Sequence, residues 1–302
     1  MKEKQPRLKA IAAALLVTFL WSTSFILIKC GLKDIPPVTF AGLRYSLAFI
    51  ILLPFLFLKK NSVVVKALSK RDWQKLILLG ILFYTVTQGT QFIGLTKLTA
   101  VTVSLWLNFT PLLVTIMAIF FVKEIPSIIQ WIGVILFLTG ITIYFLPVTL
   151  SSEGSFGIVI VSMGVISNAL SSVLGRKINR DGKITPLIVT TVSMGTGSLI
   201  LLISGFATES FIGLSTENVF YLLWLAIINT AFAFTLWNYS LKTLSAMESS
   251  IINGTMLIQI TFLAWIFLSE EVSTKEIIGM LIAFAGALFV QFKFRKSIIP
   301  GK

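Results

Sequence analysis

The chain has no histidine, a single cysteine (Cys30), and charges on only 12% of its 302 residues. Without histidine, the commonest general base and the commonest metal ligand are missing. One cysteine permits neither an intrachain disulfide nor a thiolate cage for a metal. No Gly-rich phosphate loop is present, and no apolar stretch holds a pair of carboxylates. ATP-driven pumping and acid–base catalysis by this chain therefore lack their usual residues. The expectation is a protein that is not an enzyme and needs no cofactor and no metal.

What is abundant is apolar surface. Hydrophobic residues make up 56% of the chain, outside the range of soluble domains, so the lipid bilayer is the expected solvent. A formal net charge of +13 would suit nucleic acid only if the basic residues shared one large polar surface. They are instead scattered in short segments between apolar runs, so no nucleic-acid partner is expected.

Crossing ~30 Å of hydrocarbon takes about 20 apolar residues in a helix. Ten runs qualify: 10–28, 38–58, 76–96, 98–122, 125–146, 156–175, 184–207, 219–241, 249–269 and 276–292. The first follows Lys2, Lys4, Arg7 and Lys9 in the manner of a signal peptide. It is read as an uncleaved span, because it has spanning length and lacks a small-residue cleavage site. With the N-terminus inside, the inner segments hold twenty Lys or Arg and the outer segments four, Lys29, Lys33, Lys97 and Lys275. Basic residues in short loops stay cytoplasmic during insertion, so both termini are expected in the cytoplasm, with the chain multi-pass in the cell membrane.

A shift of 146 residues superposes 94–140 on 240–286 without a gap, with twelve of 47 positions identical. The matches include Leu98/Leu244, Ala100/Ala246, Ser104/Ser250, Glu124/Glu270, Gly133/Gly279 and Gly140/Gly286. Each half, 1–147 and 148–302, carries five spans, an odd number, so the second must cross the bilayer in the opposite sense. The expected fold class is an all-α integral membrane protein of ten transmembrane helices in two inverted five-helix repeats, an arrangement found in secondary transporters. Gly133 and Gly140 lie seven apart on one helix face, as do Gly279 and Gly286, and close helix packing is their expected role.

The stretch Gly94-Leu-Thr-Lys-Leu-Thr-Ala100, then Thr110-Pro111, Val122-Lys-Glu124, Gly133 with Gly140, and Arg44 early in the second span resemble the EamA-type drug/metabolite transporter superfamily. The resemblance covers nearly the whole chain. It departs at Leu257, which stands where the fourth span has Pro111. It implies duplicated EamA domains, a central pathway between the halves, and export or exchange of amino acids or related metabolites.

Arg44 is the costliest residue to place, since a charge inside a span costs about 2.5–3.5 kcal/mol on insertion scales and marks function. It is a partner for a substrate carboxylate, or else a structural clamp that snorkels or bonds helix-end carbonyls. At α-helical spacing Tyr84, Gln88 and Gln91 form one polar stripe on the third span. Asn108 and Thr110 precede Pro111, which cannot donate to the carbonyl of Leu107 and should bend the helix. Trp21 with Ser22 and Ser24, Asn168 with Ser167, Asn229 with Thr230, and Gln259 with Thr255 sit at similar depths. An unpaired polar group facing hydrocarbon is costly, so Trp21, Arg44, Tyr84, Gln88, Asn108, Asn168, Asn229 and Gln259 are the candidate substrate-binding residues. Trp237 is expected at the membrane interface. Glu124 and Glu270 are related by the duplication, and are either gating or coupling carboxylates or solvated groups at helix ends. The expected activity is that of a secondary transporter or facilitator for a small polar metabolite, with the bilayer as its environment. A membrane-embedded enzyme, a drug exporter of the same superfamily and assembly into a homo-oligomer all stay open at this point.

Overall fold

The computed structural model describes residues 4–110, 112–114, 116–117, 127–145, 151–180, 182–210, 213–241, 244 and 252–291. Pro111 and Glu124 lie outside them, and with them the bend expected at Pro111. The described residues contain no β-strand. Thirteen α-helices follow in order: α1 Lys4–Gly31, α2 Pro37–Leu52, α3 Lys59–Lys66, α4 Lys70–Leu79, α5 Gly89–Lys97, α6 Ala100–Leu107, α7 Ile128–Phe145, α8 Ser152–Arg180, α9 Pro186–Thr208, α10 Thr216–Ala226, α11 Ala233–Leu241, α12 Met256–Leu268 and α13 Thr274–Gln291. A 3₁₀ turn, Leu53–Phe57, ends the second span. Two π-helical segments, Gly80–Gln88 and Ile227–Phe232, join α4 to α5 and α10 to α11 without a break.

Among the described residues, seven helices are long and apolar enough to cross a membrane, and 100–114 and 252–268 are shorter apolar helices. Several helices outrun their apolar cores. The third span begins at Lys70 rather than 76, because Ser69 and Asp72 form a reciprocal capping box that starts the helix in the polar zone. Ser215 accepts from the Asn218 N–H and starts α10 in the same way, 146 residues later. Proline at the first helical position opens both α2 and α9, where its missing N–H costs no helical bond.

The packing is reciprocal between the two halves of the sequence. Helix α1 lies against α11 and α12 of the second half, while α8 lies against α5 and α6 of the first. Helices α7 and α13, whose bounds differ by 146 residues, pack on each other along their length. A β-carbon added to Gly279 would stand 2.7 Å from the Gly140 carbonyl oxygen and the Tyr144 nitrogen, and one on Gly286 would stand 2.7 Å from the Gly133 oxygen. Gly133 thus faces Gly286 and Gly140 faces Gly279, which makes the pair antiparallel. Helices α2 and α9 are antiparallel too, with Gly42 against Leu202 and Gly205 against Thr39. With lipid as apolar as any side chain, such close backbone approach is what holds helices together in a membrane.

Polar ties gather seven helix ends at one end of the bundle. Asp34 accepts from Asn218 Nδ2 at 3.1 Å, Glu209 accepts from the N–H groups of Val38 and Thr39 at 3.0 and 2.7 Å, Lys97 pairs with Glu153 at 3.2 Å, and Lys29 pairs with Glu270 at 3.0 Å. At the other end, among the described residues, the packing is apolar: Leu76 and Leu79 pack with Ile178, Ile184 and Ile188, and Ala10 and Ala14 with Leu244 and Ile252.

The glycine contacts give a paired prediction with opposite signs. Gly140→Ala puts a methyl against the backbone of Gly279 and Ala283 and should destabilise by about 1–3 kcal/mol. Gly175→Ala meets Leu79 Cδ1 at 3.7 Å and Cδ2 at 4.0 Å, both ordinary van der Waals contacts, and should stabilise by about 0.4–1 kcal/mol through the unfolded chain. Thermal melting of both variants in detergent, beside the parent, checks the pair.

Candidate functional site

The π segments bring the site together. Bonding from i to i+5 widens the helical turn, and threonines follow it: Thr87 Oγ1 donates to the Leu82 carbonyl and Thr230 Oγ1 to the Leu225 carbonyl, each five residues back, at 2.9 and 2.8 Å. Tyr84, Gln88, Asn229 and Thr230 all lie within these segments. Shifted by 146, the second segment falls inside the first, so both halves widen the same helix at the same place. The spacing that made Tyr84, Gln88 and Gln91 a single stripe assumed 3.6 residues per turn, and the π turn through residue 88 removes that basis.

Arg44 sits at the centre. It is 3% exposed, so it does not snorkel to a membrane face. Its Nε donates to Thr230 Oγ1 at 3.1 Å and its Nη2 to Ser24 Oγ at 3.5 Å, and its guanidinium carbon lies 5.0 Å from the Tyr45 ring centre. Among the described residues no carboxylate pairs with it. Ser24 also accepts from Asn229 Nδ2 at 2.9 Å. Thr23 Oγ1, at 3.0 Å, and the Leu20 carbonyl are further acceptors within reach of the same amide nitrogen, which shares its two hydrogens among them. Trp21 Nε1 donates to the Asn229 carbonyl at 3.2 Å. The Asn229 Oδ1 is buried and has no donor among the described residues.

Two further strands leave this centre. Tyr45 donates its hydroxyl to Gln88 Oε1 at 2.7 Å, and its ring meets that of Tyr84 at 5.4 Å. On α1, Ser22 donates to Gln259 Oε1 at 3.0 Å, and Gln259 Nε2 donates to Thr255 and Thr18. An aromatic wall runs beside the polar groups, from Tyr84 through Phe83 and Phe234 to Trp21 and Trp237, with ring centres 4.9 to 6.3 Å apart. Trp237 packs against Trp21 with the rings tilted by 50° and lies beside the Ala10 and Leu244 cluster.

Six of the eight sequence candidates, Trp21, Arg44, Tyr84, Gln88, Asn229 and Gln259, belong to this assembly. The other two bond elsewhere. Asn108 Nδ2 turns back onto the Ser104 carbonyl of its own helix at 2.8 Å, and Asn168 Nδ2 donates to Thr110 Oγ1 at 3.2 Å. Beside them Trp106 Nε1 donates to Ser162 Oγ at 2.7 Å. Of the two duplicated carboxylates, Glu270 is no solvated helix end: its side chain is 9% exposed and paired with Lys29. Glu124 lies outside the described residues.

Sequence reasoning missed Tyr45, Phe83, Phe234 and Lys29. Tyr45 carried one signal, its place beside Arg44, but adjacent helical residues point to different faces. Phe83 and Phe234 look like lipid-facing residues in any apolar helix. Lys29 was read as an outer loop charge, and only the fold brings it to Glu270, 241 residues away.

A profile of the EamA-like transporter family matches residues 8–146 and 155–292. The chain is 24% identical to "Uncharacterized transporter YoaV" of Bacillus subtilis, covering 95% of this chain and 98% of that one. It is 28% identical to an "Uncharacterized transporter" of Archaeoglobus fulgidus, over 92% and 96% of the two chains. A protein of Chlamydia trachomatis called "S-adenosylmethionine/S-adenosylhomocysteine transporter" is 22% identical over 87% of this chain and 83% of its own. A solved crystal structure with 16% identity superposes with a TM-score of 0.69, over 93% of this chain and 96% of that one, and shares the fold. With two matches that together span almost all of its length, the chain belongs to the EamA-like transporter family.

Proposed function

We propose that the protein is a secondary transporter or facilitator that carries a small polar metabolite bearing a carboxylate across the cell membrane, and that Arg44 receives that carboxylate. In this reading the chain crosses the membrane ten times in two inverted halves, 1–147 and 148–302, with both termini in the cytoplasm and the pathway between the halves. The antiparallel pairing of α7 with α13 and of α2 with α9 supports inversion, because helices equivalent by duplication run in opposite directions.

The observation that carries the substrate class is the charge of Arg44. A guanidinium taken out of water is expensive unless an opposite charge accompanies it. Among the described residues its partners are hydroxyls and an aromatic face, none of which balances the charge. A substrate carboxylate would balance it and could meet the planar fork with two hydrogen bonds. Both molecules named for the chlamydial relative carry an α-carboxylate, which fits this class. Asn229 Oδ1, linked to Arg44 through Ser24, offers an acceptor for a donor on the same substrate. Among the described residues no Asp or Glu joins the assembly, which favours exchange or facilitated diffusion over a proton relay through carboxylates.

Substitution at Arg44 tests the reading. Losing a buried charge partner costs about 2–5 kcal/mol, so Arg44→Gln should lower uptake into proteoliposomes at low substrate by about 30-fold or more, with the protein still folded in the membrane. Arg44→Lys should keep part of the activity, because a point charge replaces part of the fork. If both variants merely fail to accumulate, Arg44 is a clamp. If Arg44→Gln transports carboxylates normally, the substrate class is wrong.

Orientation has its own check. A reporter active only in the cytoplasm, fused after Lys302, should work. Labelling of that C-terminus from outside intact cells would overturn the ten-span inverted arrangement.

A further inference from the structure

We propose that the segment between the second and third spans is a docking surface for anionic phospholipid headgroups of the cytoplasmic leaflet, with α3 lying in the membrane interface. The orientation proposed above supplies only the choice of leaflet; the lipid chemistry stands on the residues of the segment itself.

Helix α3 and the first turns of α4 carry Lys59, Lys60, Lys66, Lys70, Arg71 and Lys75 against one acid, Asp72. That acid is engaged by Ser69 in the capping box and lies 3.9 Å from Lys75. Among the described residues no carboxylate pairs with the other five cations. The second half of the sequence adds two more exposed cations, Lys177 and Lys183. Their neighbours Ile178 and Ile184 pack with Val64, Val65 and Leu76, and Lys183 interacts electrostatically with Asp72. Basic clusters of about this size at the cytoplasmic edge of a span attract anionic lipid.

Charge alone would be no more than a signal for orientation during insertion. What marks a docking surface is a fixed helical frame with apolar groups set between the charges. The inward face of α3 is anchored: Asn61 is buried and its Nδ2 donates to the Phe55 carbonyl at 2.8 Å, and Val64 and Val65 join the apolar cluster beneath. The outward face holds Lys59, Val63 and Lys66, at i, i+4 and i+7 on one side of the helix, and all three are exposed. Val63 is 68% exposed, and Phe57, just before the helix, 74%. Helix α4 repeats the pattern with exposed Lys70, Trp73 and Ile77 at i, i+3 and i+7.

This interleaving selects the partner. A soluble polyanion would meet the lysines and leave Phe57, Val63 and Trp73 in water. A bilayer surface takes both: the apolar groups enter the acyl boundary, the lysine stems reach back to headgroup phosphates, and tryptophan favours that depth. Because α3 packs on Ile178 and Ile184, a headgroup held there braces the junction between the two halves, so docking should be visible as stability.

Thermal melting of the full chain in neutral detergent reads it. Phosphatidylglycerol should raise the melting temperature with a defined midpoint, while phosphatidylcholine, inorganic phosphate and heparin should not. Lys59→Gln with Lys66→Gln should move that midpoint to about 25-fold more lipid, about fivefold for each lysine. Lys70→Gln with Arg71→Gln should act similarly, and melting without lipid shows whether each variant is folded. Lys33→Gln with Lys275→Gln, the same loss of charge at the opposite end, should leave the midpoint in place. Val63→Ser keeps every charge and should move it about threefold or more. Equal stabilisation by phosphatidylcholine overturns the selection for anionic lipid, and equal stabilisation by phosphate or heparin shows a general anion site instead. A shift in the Lys33 and Lys275 pair as large as in the Lys59 and Lys66 pair reduces the effect to net charge and overturns the site. An unchanged midpoint in Val63→Ser overturns the placement of α3 in the interface. If these shifts appear while Arg44→Gln carries carboxylates normally, the substrate reading has failed and the lipid surface stands.

Discussion

Inside hydrocarbon no water is at hand to satisfy a polar group, and the arrangement of this protein follows from that shortage. Backbone groups are satisfied within helices, because no other open-ended structure can satisfy them there. Side chains that cannot be left to lipid are drawn to one another. Around Arg44 this produces a cage of hydroxyls and an amide from α1, α2 and the second π segment. The cage solvates the guanidinium without cancelling its charge. In the function proposed above, a substrate carboxylate would supply the missing opposite charge.

The π segments show how local geometry serves the same end. A widened turn carries extra side chains around the same length of axis, so Asn229 and Thr230 can both be directed at the space beside Arg44. The small residues around them belong to the same device. Gly80 and Gly197 let the first π segment lie directly on α9, and Thr85 Oγ1 bonds the Gly197 carbonyl at 3.0 Å.

The two ends of the bundle are built on different physics. One is tied by carboxylates that neutralise helix N-termini and lysines, contacts that are directional and can be exchanged for water in a single step. The other, among the described residues, is closed by apolar packing of Leu76 with Ile188 and of Ala14 with Leu244.

Much of this was legible in the residues alone. The bilayer as solvent, the helical class, the duplication at 146 residues and the glycines that pack followed from composition and periodicity, because lipid constrains composition over every span. Arg44 stood out because a charge in a span is costly wherever it points. Residues whose meaning depends on a distant partner did not show. Nothing near Lys29 in the chain predicts Glu270, nothing in Phe83 or Phe234 predicts the wall they form with Trp21, and Asn108 and Asn168 matched Asn229 in type and depth yet bond apart from it. The α-helical spacing also misplaced Gln91 relative to Tyr84, since a π turn is set by the packing of the first π segment on α9 and α8 and leaves no mark in hydropathy. Sequence determined which groups could not face lipid; tertiary structure decided which of them meet, because a hydrogen bond of 3 Å depends on how helices from opposite halves cross.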